Sequence, residues 1–186
     1  MIKSDVQLDA KGLACPMPIV RTKKAMNDVL EGQVLEIQAT DKGSVADLAA
    51  WSKTVGHQYI GTHEESGVFY HYIRKCDHEA NEQQDKTYDK TISIEDAIKG
   101  EGFILDVREA AEFAFGHIPG AHSIPMGELQ NRLKELDQDK TIYVICRTGM
   151  RSDLAAQQLA EAGFRDIYNV LPGMSGYTGD LEKSLG

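Results

Sequence analysis

The chain has 186 residues, 41% of them apolar and 26% charged, with a net charge of −9 at pH 7. That length holds one domain or two small ones, and no run of eighteen apolar residues is present to cross a membrane. The acidic excess is uneven: residues 1–75 carry nine Lys or Arg against nine Asp or Glu, and residues 76–186 carry eleven against twenty, so direct nucleic-acid binding by charge is not expected of the second part.

The opening stretch MIKSDVQLDA lacks the apolar core of a signal peptide. A cytoplasmic location is therefore expected. Cys15, Cys76 and Cys146 are odd in number and far apart, which in a reducing compartment reads as free thiols.

Taken in chain order, SDVQLDA alternates like a short strand. PIVRTKKAMNDVL sets Ile19, Val20, Met26, Val29 and Leu30 on one helical face, with Gly32 as the stop. VLEIQAT is a strand. Ser44 is the expected N-cap, with Asp47 three residues on, of a helix ended by Gly56. HQYIGTHE and GVFYHYIRK form a hairpin turning at ESG. The order is βαβαββ, a two-layer α/β unit over residues 1–75.

Residues 76–90, CDHEANEQQDKTYDK, are almost free of apolar side chains and have no period, so they read as a linker. These fifteen residues would span about 20 Å if flexible. Strands and helices then alternate over 91–186: ISIEDAIKG, the strand GFILDV, the helix REAAEFAFG, the strand AHSIP, the helix GELQNRLKEL, the strand TIYVIC, the helix SDLAAQQLAEAG and the strand DIYNVL. Apolar strands without alternation, separated by helices, predict a doubly wound parallel sheet covered on both faces.

In such sheets ligands bind outside the carboxyl ends of the strands. Cys146 stands at that end of TIYVIC, just before a helix, in YVICRTGMRS. Backbone N–H groups from Arg147 to Ser152 can curl round its sulfur, the helix start adds partial positive charge, and Arg147 and Arg151 add full charges. Gly149 lets the loop turn tightly. Each of these favours an anionic, nucleophilic sulfur. The alternative for Cys146 is a buried core cysteine.

Four residues separate Cys146 from Arg151, a loop one residue shorter than the phosphate cradle of cysteine phosphatases and suited to a terminal sulfur. Here the chain resembles the rhodanese family over roughly 88–186, through LDVREAAEF, GHIPGAHSIP and CRTGMRS. The resemblance implies that Cys146 accepts a sulfane sulfur, holds it as a persulfide and passes it to a nucleophile. It makes Arg147, Thr148, Gly149, Met150 and Arg151 the loop around that sulfur, and Asp106 with Arg108 a pair near the loop, expected to be a structural ion pair. The chain departs from the family after the last strand, where LPGMSGY puts Pro172 before Gly173 and Tyr177 in the aromatic place.

A second cysteine lies in LDAKGLACPMPIVRTKKAM. Pro16 fits a first helical turn, which would put Cys15 at the N-cap, on the positive end of a dipole. This segment, with TDKGSVADLAAW and the following GH, resembles the TusA-like sulfur carriers across 5–75. The resemblance implies that Cys15 carries a persulfide for a partner; a second cysteine found in some members is Ser52 here. Arg21, Lys23 and Lys24 are either a docking face or a solvated one.

No C-x-x-C or H-x-x-x-H spacing links Cys76, His78, His57, His63 and His71, so no metal is expected and Cys76 reads as incidental. His117 and His122 are expected to shape the GHIPGAH turn. No organic cofactor is implied. The expected partners are a sulfane-sulfur donor (thiosulfate, polysulfide or a small-molecule persulfide) and a thiol acceptor or sulfur-accepting protein. The reading is a sulfurtransferase working on Cys146, in relay with Cys15. A sulfur-delivery adaptor and a thiol redox sensor stay open beside it, and phosphatase chemistry is more distant.

Overall fold

A computed structural model describes residues 2–76 and 88–185. The chain forms two compact units.

The first unit runs β1 (Val6–Ala10), α1 (Met17–Ala25), β2 (Val34–Ala39), α2 (Ser44–Val55), β3 (Gln58–Glu65) and β4 (Val68–Arg74). Its sheet has the order β1-β2-β4-β3. β1 and β2 are parallel, and β4 runs antiparallel to both β2 and β3. Alternate residues of three strands, Leu8 and Ala10, Leu35 and Ile37, and Ile73, face one core. Ile19 and Met26 from the α1 segment and Leu48 and Trp51 from α2 close it. The hairpin turns on Ser66 and Gly67, both at positive φ, the pair of left-handed residues that a two-residue type I′ turn requires.

Two local expectations change here. The α1 stripe does not run to Leu30: the helix ends at Ala25, and Val20 and Leu30 are 53% and 67% exposed. The chain turns after Ala25, so the helical period no longer assigns faces. Ser44 is the first residue of α2 rather than its cap, which is Gly43. The Ser44 hydroxyl instead donates to the Asp41 carbonyl at 2.6 Å and lies 2.9 Å from His71 Nε2; a buried imidazole has taken it. Gly56 ends α2 in the left-handed conformation, as expected.

The second unit holds β5 (Thr91–Ser93), α3 (Ile94–Lys99), β6 (Phe103–Asp106), α4 (Ala110–Phe115), β7 (His122–Ser123), α5 (Leu129–Arg132), β8 (Ile142–Ile145), α6 (Met150–Glu161) and β9 (Ile167–Leu171). All five strands are parallel, in the order β5-β9-β8-β6-β7. β8 shows why its sequence is apolar without alternation: Ile142 and Val144 face one core with Leu159 of α6, while Tyr143 and Ile145 face the other with Ala97 of α3. The helix expected over GELQNRLKEL is mostly 3₁₀, with turns at Met126–Glu128 and Leu133–Glu135 on either side of α5. Leu129, Leu133 and Leu136 all reach the first of those cores.

Of the segment expected as a linker, 77–87 lies outside the described residues. Tyr88 is held in the second unit: its N–H donates to Asp153 at 2.8 Å and its hydroxyl donates to the Ile167 carbonyl at 3.1 Å. Among the described residues, no helix is long and apolar enough to cross a membrane.

Candidate functional site

Parallel pairing with β6 and β9 holds β8 in the middle of the sheet, and the chain leaves its carboxyl end at Cys146. Two buried donors lie against the sulfur: the Gly149 N–H at 3.0 Å and the Ser152 hydroxyl at 3.2 Å. The expectation was a ring of N–H groups from 147 to 152. Among the described residues the sulfur instead meets one backbone donor and one hydroxyl, with α6 beginning at Met150. Gly149 caps that helix at φ 92°, a conformation that favours glycine.

Asn169 on β9 locks this arrangement. It is fully buried, its Nδ2 donates to the Gly149 carbonyl at 3.1 Å, and its Oδ1 lies 2.6 Å from Ser152 Oγ. A hydroxyl has one proton to give. Directed to Asn169, it leaves Ser152 Oγ free to accept from a thiol; turned to the sulfur, it stabilises an anion there. Turning the proton to the sulfur leaves Oγ and Oδ1 with none between them, so that state requires the two oxygens to draw apart.

The loop is also held from behind. The Cys146 and Arg147 carbonyls accept from the N–H groups of Met174 and Ser175, at 2.8 and 2.9 Å. Gly173 makes that approach possible: a Cβ there would sit 2.6 Å from the Cys146 oxygen, and its φ is 86°. The family departure at LPGMSGY therefore keeps the glycine that matters. Gly173→Ala should cost roughly 2 kcal/mol from backbone strain and overlap and lower sulfur transfer. Chemical denaturation alongside transfer assays checks this; an unchanged midpoint with wild-type transfer would contradict it.

The arginines divide in an unexpected way. Arg147 and Thr148 are exposed, and Met150 is half-buried. Arg151 does not hydrogen-bond the sulfur; it forms a two-point ion pair with Glu112 of α4, at 2.7 and 3.1 Å. Burial alone would lower the Arg151 pKa, but the hydrogen bonds and charge of Glu112 hold it above its ordinary value, with a smaller contribution from Cys146. The positive charge near the sulfur is thus largely neutralised. Glu112 also accepts from the Glu109 N–H at 3.0 Å in a capping box at the start of α4. Asp106 and Arg108 form a buried ion pair at 2.6 Å, and Arg108 donates further to the Gly116 carbonyl, which ties the end of β6 to the end of α4.

In the first unit Cys15 is exposed. It lies one residue outside the helix cap, which is Pro16. Its thiol donates to Asp47 Oδ2 at 2.9 Å. The hydrogen bond to Asp47, with burial and the Asp47 and Asp41 charges, raises its pKa. This contact opposes the start of α1, because a full negative charge in contact outweighs a helix end of about half a charge. Ser52 is buried and donates to the Leu48 carbonyl. Arg21, Lys23 and Lys24 are exposed.

Cys76 is half-buried and receives a long contact from Arg74 at 3.5 Å. Among the described residues no three His, Cys, Asp or Glu side chains gather as metal ligands; His78 lies outside them. His117 stacks on Phe113 with ring centroids 3.6 Å apart and contacts the Phe113 carbonyl through Nδ1. His122 lies 3.5 Å from Glu135.

Sequence reasoning did not find Glu112, Asn169 or, for Cys15, Asp47, and it named Ser152 and Gly173 without the roles they have here. Two had a local signal: Glu109-x-x-Glu112 has capping-box spacing, and Asn169 interrupts an otherwise apolar strand.

The family model "Sulfurtransferase TusA" matches residues 6–75, and the "Rhodanese-like domain" model matches 77–180. The "Putative sulfur carrier protein YrkF" of Bacillus subtilis (strain 168) is 44% identical over 189 aligned residues, covering 98% of this chain and 100% of that protein. The sulfur carrier protein TusA of Allochromatium vinosum is 47% identical over 75 residues, 40% of this chain and 99% of that protein. The crystal structure of a rhodanese-related protein from Thermoplasma volcanium is 33% identical and covers 53% of this chain and all of that one, with a TM-score of 0.45. The chain belongs to the rhodanese-like family and joins to that domain a TusA domain, which makes it a sulfur-transfer protein.

Proposed function

We propose that the chain transfers sulfane sulfur through cysteine persulfides, receiving it on Cys146 and passing it through Cys15 to a thiol or another nucleophile. The observation that carries this reading is the Cys146 sulfur at the end of β8, with the Gly149 N–H and the Ser152 hydroxyl directed at it. Donors placed where negative charge develops stabilise it without reorganisation.

With thiosulfate as donor, the Cys146 thiolate attacks the outer sulfur. The sulfur–sulfur bond breaks, its electron pair leaves with sulfite, and Cys146 holds the outer sulfur. An acceptor thiolate then attacks that sulfur, and the electron pair returns to Cys146. A polysulfide or small-molecule persulfide serves as donor in the same way. Cys15 is the acceptor within the chain, and two tethered stations can meet at an effective concentration on the order of millimolar.

The test is to load the full chain with a limiting sulfane donor and locate the added sulfur by peptide mass spectrometry. Sulfur should appear on Cys146 and, in smaller share, on Cys15. Cys146→Ser should lose most of the Cys15 label, whereas Cys15→Ser should retain label on Cys146. Transfer between the two should not speed up when the protein is concentrated. Labelling of Cys15 at the wild-type rate in Cys146→Ser would show that the two units load independently.

A further inference from the structure

The charged groups acting on Cys15 are both acidic. Asp47 is in contact with the thiol. Asp41 stands on the same side: the two carboxylates lie 3.2 Å (Asp41) and 3.8 Å (Asp47) from the point where Gly43 would carry a Cβ. Asp47 occupies the first turn of α2, where a carboxylate interacts favourably with the helix start. The two cysteines thus stand in opposite surroundings. Cys146 is buried with an N–H and an O–H on its sulfur; Cys15 is exposed beside carboxylates.

The outer sulfur of a persulfide ionises more readily than a thiol, so at neutral pH it is an anion. On Cys146 that anion meets hydrogen-bond donors. On Cys15 it meets negative charge, which disfavours it.

We propose that Asp47 acts as a latch on Cys15, keeping it a thiol at rest and making its persulfide short-lived, so that sulfur rests on Cys146 and only passes through Cys15. This deepens the reading of Cys15 as a sulfur station and rests on it. The transfer balances: the Cys146 persulfide anion takes up a proton on its outer sulfur, and this hydropersulfide and the Cys15 thiol become the Cys146 thiol and the Cys15 hydropersulfide, which releases that proton again. One sulfur–sulfur bond breaks as another forms, the Cys15 proton passes through solvent to the Cys146 sulfur, and no oxidant is needed. A destabilised persulfide is the better donor, and consumption of its sulfur by the acceptor draws the flow forward.

The latch is tested first apart from the relay. In the full chain carrying Cys146→Ser and Cys76→Ser, Cys15 is alkylated with iodoacetamide at neutral pH and followed by mass spectrometry. Asp47→Asn should raise the rate roughly fivefold, the factor for one unit charge at contact distance in water, and the gain should shrink in high salt. Asp41→Asn should give a smaller rise, and Asp47→Glu should keep the thiol slow. With Cys146 restored, Asp47→Asn should increase the share of sulfane sulfur found on Cys15. A Cys15 that reacts no faster in Asp47→Asn than in its parent overturns the latch, and a slower one would make Asp47 a base. If alkylation accelerates but sulfur reaches Cys15 in no variant, the latch on the thiol stands and the relay falls.

Discussion

Glu112→Ala is expected to cost the second unit about 3–5 kcal/mol, the range for removing one partner of a buried ion pair. It would leave the Arg151 guanidinium, 17% exposed, without its carboxylate. It would also strip the Glu109 N–H at the start of α4 of its acceptor. Arg151→Ala should cost a similar amount, since it leaves the Glu112 charge in a site 1% exposed. Arg147→Ala, at an exposed position, should stay within about 0.5 kcal/mol of the parent. Urea unfolding followed by circular dichroism measures all three. The double variant Glu112→Leu with Arg151→Met should recover much of the loss, because an apolar pair of similar volume avoids the desolvation cost. If Arg151→Ala unfolds like the wild type yet loses transfer, the arginine acts on the sulfur and the role assigned to Glu112 is wrong.

The first unit should lose about 3 kcal/mol of stability as the pH falls from 6.5 to 4, through one residue. His71 is fully buried on β4. The Ser44 hydroxyl proton goes to the Asp41 carbonyl, so His71 Nε2 donates to Ser44 Oγ. Nδ1 then accepts from Tyr59 or Thr62, each at 2.9 Å. Both nitrogens are satisfied in the neutral ring, and burial lowers the His71 pKa to about 4. Above pH 6.5 neither the folded nor the unfolded state is protonated here, and the histidine adds no pH dependence. Between 6.5 and 4 only the unfolded chain takes up the proton, so stability falls with falling pH; below 4 the loss is complete. Amide hydrogen exchange at Leu35, Ile37 and Ile73 across this range reads the effect in the intact chain. In His71→Gln the slope should flatten, although the variant will be less stable throughout. An unchanged slope would assign the acid sensitivity to other groups.

Much of the architecture was legible from local pattern. The alternation of SDVQLDA and the unbroken apolar run of TIYVIC differ because one strand buries a single face and the other buries two. Gly56 and the ESG turn could be placed because positive φ excludes most side chains. Helix extents were read less well. The stripe through Leu30 and the helix over GELQNRLKEL fit a period of 3.6, yet the chain turns after Ala25 and winds as 3₁₀ around α5.

By itself the sequence determined that Cys146 ends a central apolar strand just before a helix, and that a second cysteine precedes a helix in a separate unit. Cysteine position, strand pattern and glycine placement are all local marks. Only the tertiary structure decided where the charges went. Arg151 finds Glu112 39 positions away, and Cys15 finds Asp47 32 positions away. Gly173 reaches the backbone of Cys146 from a different strand end. Pairings of this kind leave no period in the chain, and they reverse what a residue contributes: an arginine beside a carboxylate brings little net charge to a sulfur, and a cysteine near a helix start stays a thiol when a carboxylate stands closer. The sign of an electrostatic effect belongs to the partner, and the partner is chosen by the fold.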